Sequence, residues 1–173
     1  TVPEGVNYLA MDSFSRNGNL TKVTLPASAS QINGAFAGCS QLETIEVDEK
    51  NVDLYSRDGI VFRRYNNALA EYPSGKKDSF YVIPEGVTGI EAFAFTDSDN
   101  LISVVVPGAV EYVGQEAFDL CDNLKTVIFE EGVTSFDNYL FNWCKLQDVI
   151  LPRSLESIGE EIVGIGYPFE GTL

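Results

Sequence analysis

The chain has 173 residues, of which 45% are hydrophobic and 21% are charged, and its formal net charge is −15. This apolar content is sufficient for a folded core and argues against disorder. The acidic balance argues against nucleic acid as a partner, because phosphates would be repelled and the sequence has no cluster of lysine and arginine to attract them.

A sequence unit of about 23 residues recurs along the whole chain. Its first half alternates apolar and polar residues and ends in proline, which is typical of a half-buried strand that stops where the backbone donor is lost. Its second half reads I-G-x-x-A-F-x-x-C. The units cover about residues 1–19, 20–41, 42–77, 78–100, 101–123, 124–145 and 146–173. The first and last match least well, and the last loses the pattern in Gly164–Leu173.

The third unit breaks the pattern at about residues 51–75. Asp58-Gly59 is a turn signal, and residues 60–62 and 68–70 have the composition of short strands. Asn66-Asn67 lies near the loop between them, where asparagine tolerates a positive φ. We therefore predict one inserted β-hairpin, with a loop of either two or four residues.

The second half of each unit has near-helical spacing over about two turns, which is too short to be stable alone. Such units need neighbours on both sides, so the sequence predicts an α/β repeat solenoid with a parallel β-sheet on one face and short helical turns on the other. Phe95, Phe118 and Phe141 follow one another at intervals of 23 residues. We expect these rings to stack from unit to unit and fill the interior.

The repeated L-x-x-V-x-L-P and I-G-x-x-A-F-x-x-C patterns resemble the BspA-like leucine-rich repeat over nearly the whole chain. The insertion resembles that family too, in the segments Asn51–Phe62 and Tyr72–Gly75. The departures are Thr96-Asp97-Ser98 in place of x-x-Cys and Glu130 in place of proline. The resemblance implies a curved, right-handed solenoid with its sheet on the concave side. It also implies a secreted or surface-attached protein of a host-associated bacterium, with a role in adhesion.

The three cysteines, Cys39, Cys121 and Cys144, all occupy the x-x-Cys position of their units. We expect them to pack as small apolar residues. The alternative is a disulfide between Cys121 and Cys144, which lie on adjacent units and would need a specific geometry to form it. The sequence has no histidine and no CxxC motif, which argues against a zinc site and a histidine-dependent catalytic triad. It also shows no phosphate-binding loop, and we expect no bound cofactor. We therefore expect no enzymatic activity.

The outward face of the predicted sheet is the first candidate site. If Val104, Val127 and Val149 point inward, the residues after them point outward in line. That line is Val82, Val105, Ile128 and Ile150, flanked by Ser103, Thr126 and Asp148. A contiguous exposed apolar patch often marks an interaction site, but β-branched residues also favour strands without any partner.

The tip of the predicted hairpin is the second candidate, because Arg63, Arg64 and Tyr65 should lie near it and such side chains are common interface anchors. The alternative interpretation is a solvated turn.

These patterns favour a non-catalytic binding module, and the resemblance implies that it acts in adhesion, outside the cell or at its surface. The expected partner is a host extracellular or bacterial surface protein, with glycan as a lesser option, and self-association is a further expectation of an exposed apolar face. The runner-up is a structural spacer within a larger surface protein. No apolar run is long enough to span a membrane, and Thr1 opens without a signal peptide.

Overall fold

The computed structural model describes residues 1–162, and within them every regular element is a short β-strand. No helix in these residues has the length and hydrophobicity needed to cross a membrane. Residues 163–173 of the last predicted unit lie outside the described residues. In chain order the strands are β1 (Tyr8–Leu9), β2 (Lys22–Leu25), β3 (Gln31–Ile32), β4 (Thr44–Val47), β5 (Leu54–Arg57), β6 (Ile60–Arg63), β7 (Leu69–Glu71), β8 (Phe80–Val82), β9 (Gly89–Ile90), β10 (Ser103–Val106), β11 (Tyr112–Val113), β12 (Thr126–Phe129), β13 (Ser135–Phe136), β14 (Asp148–Ile150) and β15 (Ser157–Ile158).

A regular unit contributes two strands, and each pairs in parallel with its counterpart in the next unit. The first strands form a two-stranded sheet, β2–β4, and a four-stranded sheet in the order β14–β12–β10–β8, which we call the first-strand sheet. The second strands form the pair β1–β3 and a seven-stranded sheet in the order β15–β13–β11–β9–β7–β6–β5, which we call the second-strand sheet. The prediction of a parallel repeat stack is therefore confirmed, with a second row of strands that the sequence analysis did not anticipate.

The expectation of short helical turns is wrong: turns that bond to the next unit take their place. Residues with left-handed backbone recur four apart in these turns, at Phe93 and Asp97, Glu116 and Leu120, and Tyr139 and Trp143. A right-handed helix cannot continue through such residues. Alternate backbone N–H groups instead donate to the neighbouring unit, as from Phe95 N to Ala117 O at 2.8 Å and from Phe118 N to Leu140 O at 3.1 Å.

The predicted stack of aromatic rings is confirmed. Phe118 lies between Phe95 and Phe141, with ring centroids 4.8 Å and 5.4 Å away. The stack also includes Tyr72 of the insertion, whose ring lies 5.0 Å from that of Phe95. These rings are at most 2% exposed, so unit-to-unit contact in the interior holds the solenoid together.

The three cysteines are free and buried, as the packing interpretation predicted. Each thiol donates to the carbonyl oxygen of an aromatic residue one unit earlier: Cys39 to Phe14 at 3.1 Å, Cys121 to Phe95 at 3.1 Å and Cys144 to Phe118 at 2.9 Å. The cysteine thus supplies a donor to the turn that it packs behind.

The insertion has three strands. The predicted hairpin is confirmed as β6 and β7, with a four-residue loop closed by the bond from Arg63 N to Ala68 O at 2.8 Å. Asn67 in that loop has φ 59°, as its residue type indicated. The sequence analysis missed β5, which pairs antiparallel with β6 across the Asp58-Gly59 turn. Strand β7 then pairs in parallel with β9 and so joins the insertion to the second-strand sheet.

Buried polar side chains attach the insertion to the units before it. Asn51, 2% exposed, donates to the carbonyl oxygens of Pro26 at 2.9 Å and Ala29 at 2.6 Å, and accepts from the backbone N–H groups of Asp53 and Leu54. All four hydrogen-bonding positions of this amide are thereby used.

Glu71, 3% exposed, accepts a hydrogen bond from Phe36 N at 3.4 Å. It precedes Tyr72 at the place where regular units have the alanine of the A-F pair. Removal from water raises the pKa of Glu71 to about 8. The carboxyl group therefore stays largely protonated at neutral pH. It also accepts a hydrogen bond from Phe36 N, a donor that would otherwise have no partner because the insertion interrupts the stack of units.

Candidate functional site

The apolar line on the first-strand sheet has the predicted register. Val82 pairs with Val105, Val105 with Ile128, and Ile128 with Ile150. The valines before them, at 104, 127 and 149, are at most 1% exposed, so the line faces outward. Val82 and Ile150 at its two ends are 49% and 51% exposed, which leaves a continuous apolar ladder across four strands.

A second column of side chains runs beside this ladder on the same face. Its polar members pair as predicted, Ser103 with Thr126 and Thr126 with Asp148. On the β8 edge the column ends with an apolar residue, Phe80, which pairs with Ser103. The sequence analysis missed Phe80, although its offset from Ser103 equals the repeat length. Because Phe80 is 58% exposed, it extends the apolar surface at the β8 edge.

The ladder is limited to these four strands. In the pair β2–β4 the equivalent outward position holds Thr24 opposite Glu46, and Lys22 forms an ion pair with Glu46 at 2.6 Å. The N-terminal part of the same face is therefore polar. A strand preference for β-branched residues alone would not confine apolar side chains to one part of the row.

The second strands of all units form what we call the second-strand row, which consists of the pair β1–β3 and the second-strand sheet. This row has a groove of about 700 Å³ between the pair β1–β3 and the insertion. Residues from six of the repeat units meet there. The polar and aromatic ones on which its character depends are Tyr8, Gln31, Arg63, Tyr65, Glu91 and Tyr112. Convergence of several polar groups in one groove is one feature of a ligand site.

The structure separates the three hairpin residues that the sequence grouped together. Arg63 lines the groove and holds the Glu91 carboxylate through its Nε, 2.9 Å from both oxygens, and its Nη2, 2.7 Å from Oε2. Arg64 instead donates from Nε to the carbonyl oxygens of Asn51 and Leu54, inside the insertion. Tyr65 lines the groove and is 79% exposed.

Tyr112 lines the groove, and its side chain contacts two residues that the sequence did not connect to it. Gly89 lies directly under its ring, and a Cβ at Gly89 would be 2.2 Å from Tyr112 ring carbons. Asn66 Nδ2 donates to the Tyr112 hydroxyl at 3.4 Å. Partial burial raises the pKa of Tyr112, so the phenol remains protonated at neutral pH. One sequence signal for this site was that Tyr8 and Tyr112 each come directly before the inward apolar residue in the second half of their units.

Acidic side chains crowd the turns near the cysteines. Desolvation raises the pKa values of Asp97 and Asp99, and it raises that of Asp119 to about 6. Across residues 1–162 no group of three or more His, Cys, Asp or Glu side chains is arranged to hold a metal ion. The described residues present an apolar surface on the first-strand sheet and a polar surface with tyrosines at the groove.

Comparison with known families gives a match across most of the sequence. The profile described as "BspA type Leucine rich repeat region" matches in six copies, over residues 1–64 and 78–163. The gap between the two stretches coincides with the end of the insertion. No curated protein matches the chain.

Solved bacterial structures share the fold. The pneumococcal vaccine antigen PcpA is 24% identical with a TM-score of 0.79, over 91% of this chain and 39% of that one. A leucine-rich cell surface protein from Faecalibacterium prausnitzii is 23% identical with a TM-score of 0.61, over 92% of this chain and 58% of that one. A leucine-rich repeat protein from Eubacterium ventriosum is 17% identical with a TM-score of 0.53, over 86% of this chain and 60% of that one. The chain thus spans between about two fifths and three fifths of these structures.

Proposed function

The chain belongs to the BspA-type leucine-rich repeat family, and on that basis we propose that it is a non-catalytic protein-binding module of a bacterial surface or secreted protein. Its partner is a host extracellular protein or a surface protein of another bacterium. It binds that partner through the outward face of the first-strand sheet.

The apolar ladder is the observation that carries this proposal. Four aligned β-branched side chains and Phe80 form a hydrophobic strip on a regular array of paired strands. The polar column of Ser103, Thr126 and Asp148 lies beside it and can supply hydrogen bonds at the rim. An apolar centre with a polar edge is the usual composition of a protein–protein interface.

The charge of the chain restricts the class of partner. A net charge of −15 repels nucleic acid and anionic membrane surfaces, and it favours encounter with neutral or basic protein surfaces. The structurally similar protein from Faecalibacterium is a cell surface protein, and we propose the same exposure for this chain.

The test is a binding screen of the purified 173-residue protein against extracellular-matrix proteins, plasma glycoproteins and whole bacteria. It compares wild type with the double variant Val105→Asp/Ile128→Asp. We expect the variant to remain folded, since both positions point outward, and to lose the interaction, because two charges would have to be buried at the centre of the interface.

The matched control is Ser135→Asp/Ser157→Asp, which adds the same two charges at paired outward positions of the second-strand sheet. Binding retained by this control and lost by the ladder variant supports the proposal. Loss in the control alone moves the protein-binding site to the other sheet and refutes it. No binding to any partner favours the alternative function, a structural spacer in a larger surface protein.

A further inference from the structure

The groove on the second-strand row exists because the insertion interrupts that row. Strand β3 pairs with β1, and β9 pairs with β7, so the two parts of the row are not hydrogen-bonded to each other. Arg63 spans the interruption: its Nη1 donates to Ser30 O at 2.6 Å on one side, while Glu91 holds the same guanidinium on the other. Among residues 1–162 the groove therefore has a fixed base that occurs once, at the insertion, rather than once in every unit.

Three tyrosines line the same groove as this base, each on a different segment. Tyr8 comes from β1 and is 52% exposed, Tyr65 comes from the loop of the insertion and is 79% exposed, and Tyr112 comes from β11 and lies over Gly89. Exposed tyrosines offer an apolar ring face together with a hydroxyl that can donate and accept. This pairing suits the C–H faces and hydroxyl edges of a sugar ring.

The remaining lining disfavours an anionic ligand and offers hydrogen-bond acceptors to a hydroxyl-rich one. Among the charged side chains that line the groove in the described part of the chain, Arg63 is the single cation beside the carboxylates of Asp53, Glu91 and Asp137. Because Arg63 is occupied by Glu91 and Ser30, an anionic ligand would meet unbalanced negative charge. Carboxylate and amide groups such as Gln31 can instead accept hydrogen bonds from sugar hydroxyls.

We propose that this groove is a second binding site, distinct from the apolar ladder, and that it takes a neutral oligosaccharide. Tyr8 and Tyr65 pack against sugar rings at the two sides, and Tyr112 supports the ligand from the floor. The Arg63–Glu91 pair fixes the base of the site and presents carboxylate oxygens to hydroxyl groups. The site binds its ligand without chemical change.

Isothermal titration calorimetry of the full chain tests the proposal, with cellohexaose, mannohexaose and lacto-N-neotetraose as neutral probes and sialylated lacto-N-neotetraose as the acidic one. We expect saturable binding of at least one neutral probe and weaker binding of the sialylated one. Tyr65→Ala and Tyr8→Ala should each weaken the interaction about tenfold or more, since both remove an exposed ring from the site. Circular dichroism checks that the variants are folded.

Trp143→Ala is the matched control, because it removes an exposed ring from a turn that does not line the groove. Affinity for the neutral probe should be unchanged in this variant. The proposal is overturned if no neutral probe binds at millimolar concentration, if the sialylated probe binds more tightly, or if either tyrosine variant keeps wild-type affinity. Binding of an arginine-rich peptide with no saccharide binding would also overturn it, and would make the groove a peptide site.

Discussion

Phe118→Ala tests the interior stack on which both surfaces depend. The ring is 0% exposed and lies between Phe95 and Phe141, which contact other aromatic rings in turn. Because those neighbours are held on their far sides, they cannot move far into the space that the substitution creates. Loss of the buried ring, with a cavity left behind, should lower the free energy of unfolding by about 3–5 kcal/mol.

For a chain of this length, that loss corresponds to a fall in melting temperature of roughly 6–20 °C. Urea and thermal unfolding followed by circular dichroism measure the global change. Fluorescence of Trp143, the one tryptophan of the sequence, reports on the adjacent turn. Agreement between the two signals would show that loss of one ring weakens the stack as a whole, as expected when each unit is stabilised by its neighbours.

Phe14→Ala is the control, since Phe14 is 41% exposed and stacks on Phe36 with centroids 5.4 Å apart. It should cost about 1–2 kcal/mol, because less apolar surface returns to water. If Phe118→Ala melts within about 2 °C of wild type, or costs no more than Phe14→Ala, the reasoning about the stack is refuted.

Two further substitutions examine how the insertion is attached. Asn51→Ala should cost about 2–4 kcal/mol in urea unfolding, because it leaves buried carbonyl and N–H groups without partners, whereas Asn123→Ala at an exposed position should cost under about 1 kcal/mol. Equal costs would show that the Asn51 bonds do not hold the insertion. The pKa of Glu71 is about 4.5 in the unfolded chain and about 8 in the folded one. Because the unfolded chain releases this proton at lower pH, the contribution of Glu71 to the free energy of unfolding should fall as pH rises from about 4.5 to about 8. Glu71→Gln should therefore make unfolding free energies at pH 5 and pH 8 more nearly equal, and an unchanged pH dependence would contradict this.

The sequence predicted those features that repeat from unit to unit. Alternation around Val104 and Val127, together with the 23-residue interval, determined which residues face outward and which pair across the sheet. The aromatic stack followed from the same interval. Such features are predictable because each unit provides an independent view of the same structural position.

The turns were wrongly predicted as helical because the I-G-x-x-A-F spacing does not show backbone handedness. Phe93 and Glu116 adopt left-handed φ although they are not glycine. One signal was present: the second unit has Gly34 and Gly38 at the corresponding positions, both with positive φ. Glycine at two positions four apart in one unit indicates a left-handed backbone there. The other units have the same backbone at these positions, although their residues adopt it less easily than glycine does.

The groove could not be predicted from the repeat, because it forms where the repeat stops. Tyr8 and Tyr112 occupy equivalent outward positions of β1 and β11, but their units are not neighbours, and Tyr65 belongs to the insertion, so the repeat alone does not bring the three together. They meet because the insertion places its own loop against the second-strand row. Arg63 was likewise predicted to be an exposed interface anchor at the hairpin tip. In the structure it lies at the base of the groove, where it bonds to Ser30 and Glu91.

The two surfaces therefore depend on different parts of the fold. The ladder arises from repetition, and neighbouring units extend it by placing an apolar residue at one outward position. The groove depends on the insertion, whose strand β7 continues the second-strand sheet while Glu71 meets the donor left unpaired at Phe36. A substitution that loosens the insertion, such as Asn51→Ala, should impair the groove before the ladder, since the strands of the ladder pair with one another independently of β5, β6 and β7. Protein binding and saccharide binding should accordingly be separable by mutation in one folded chain.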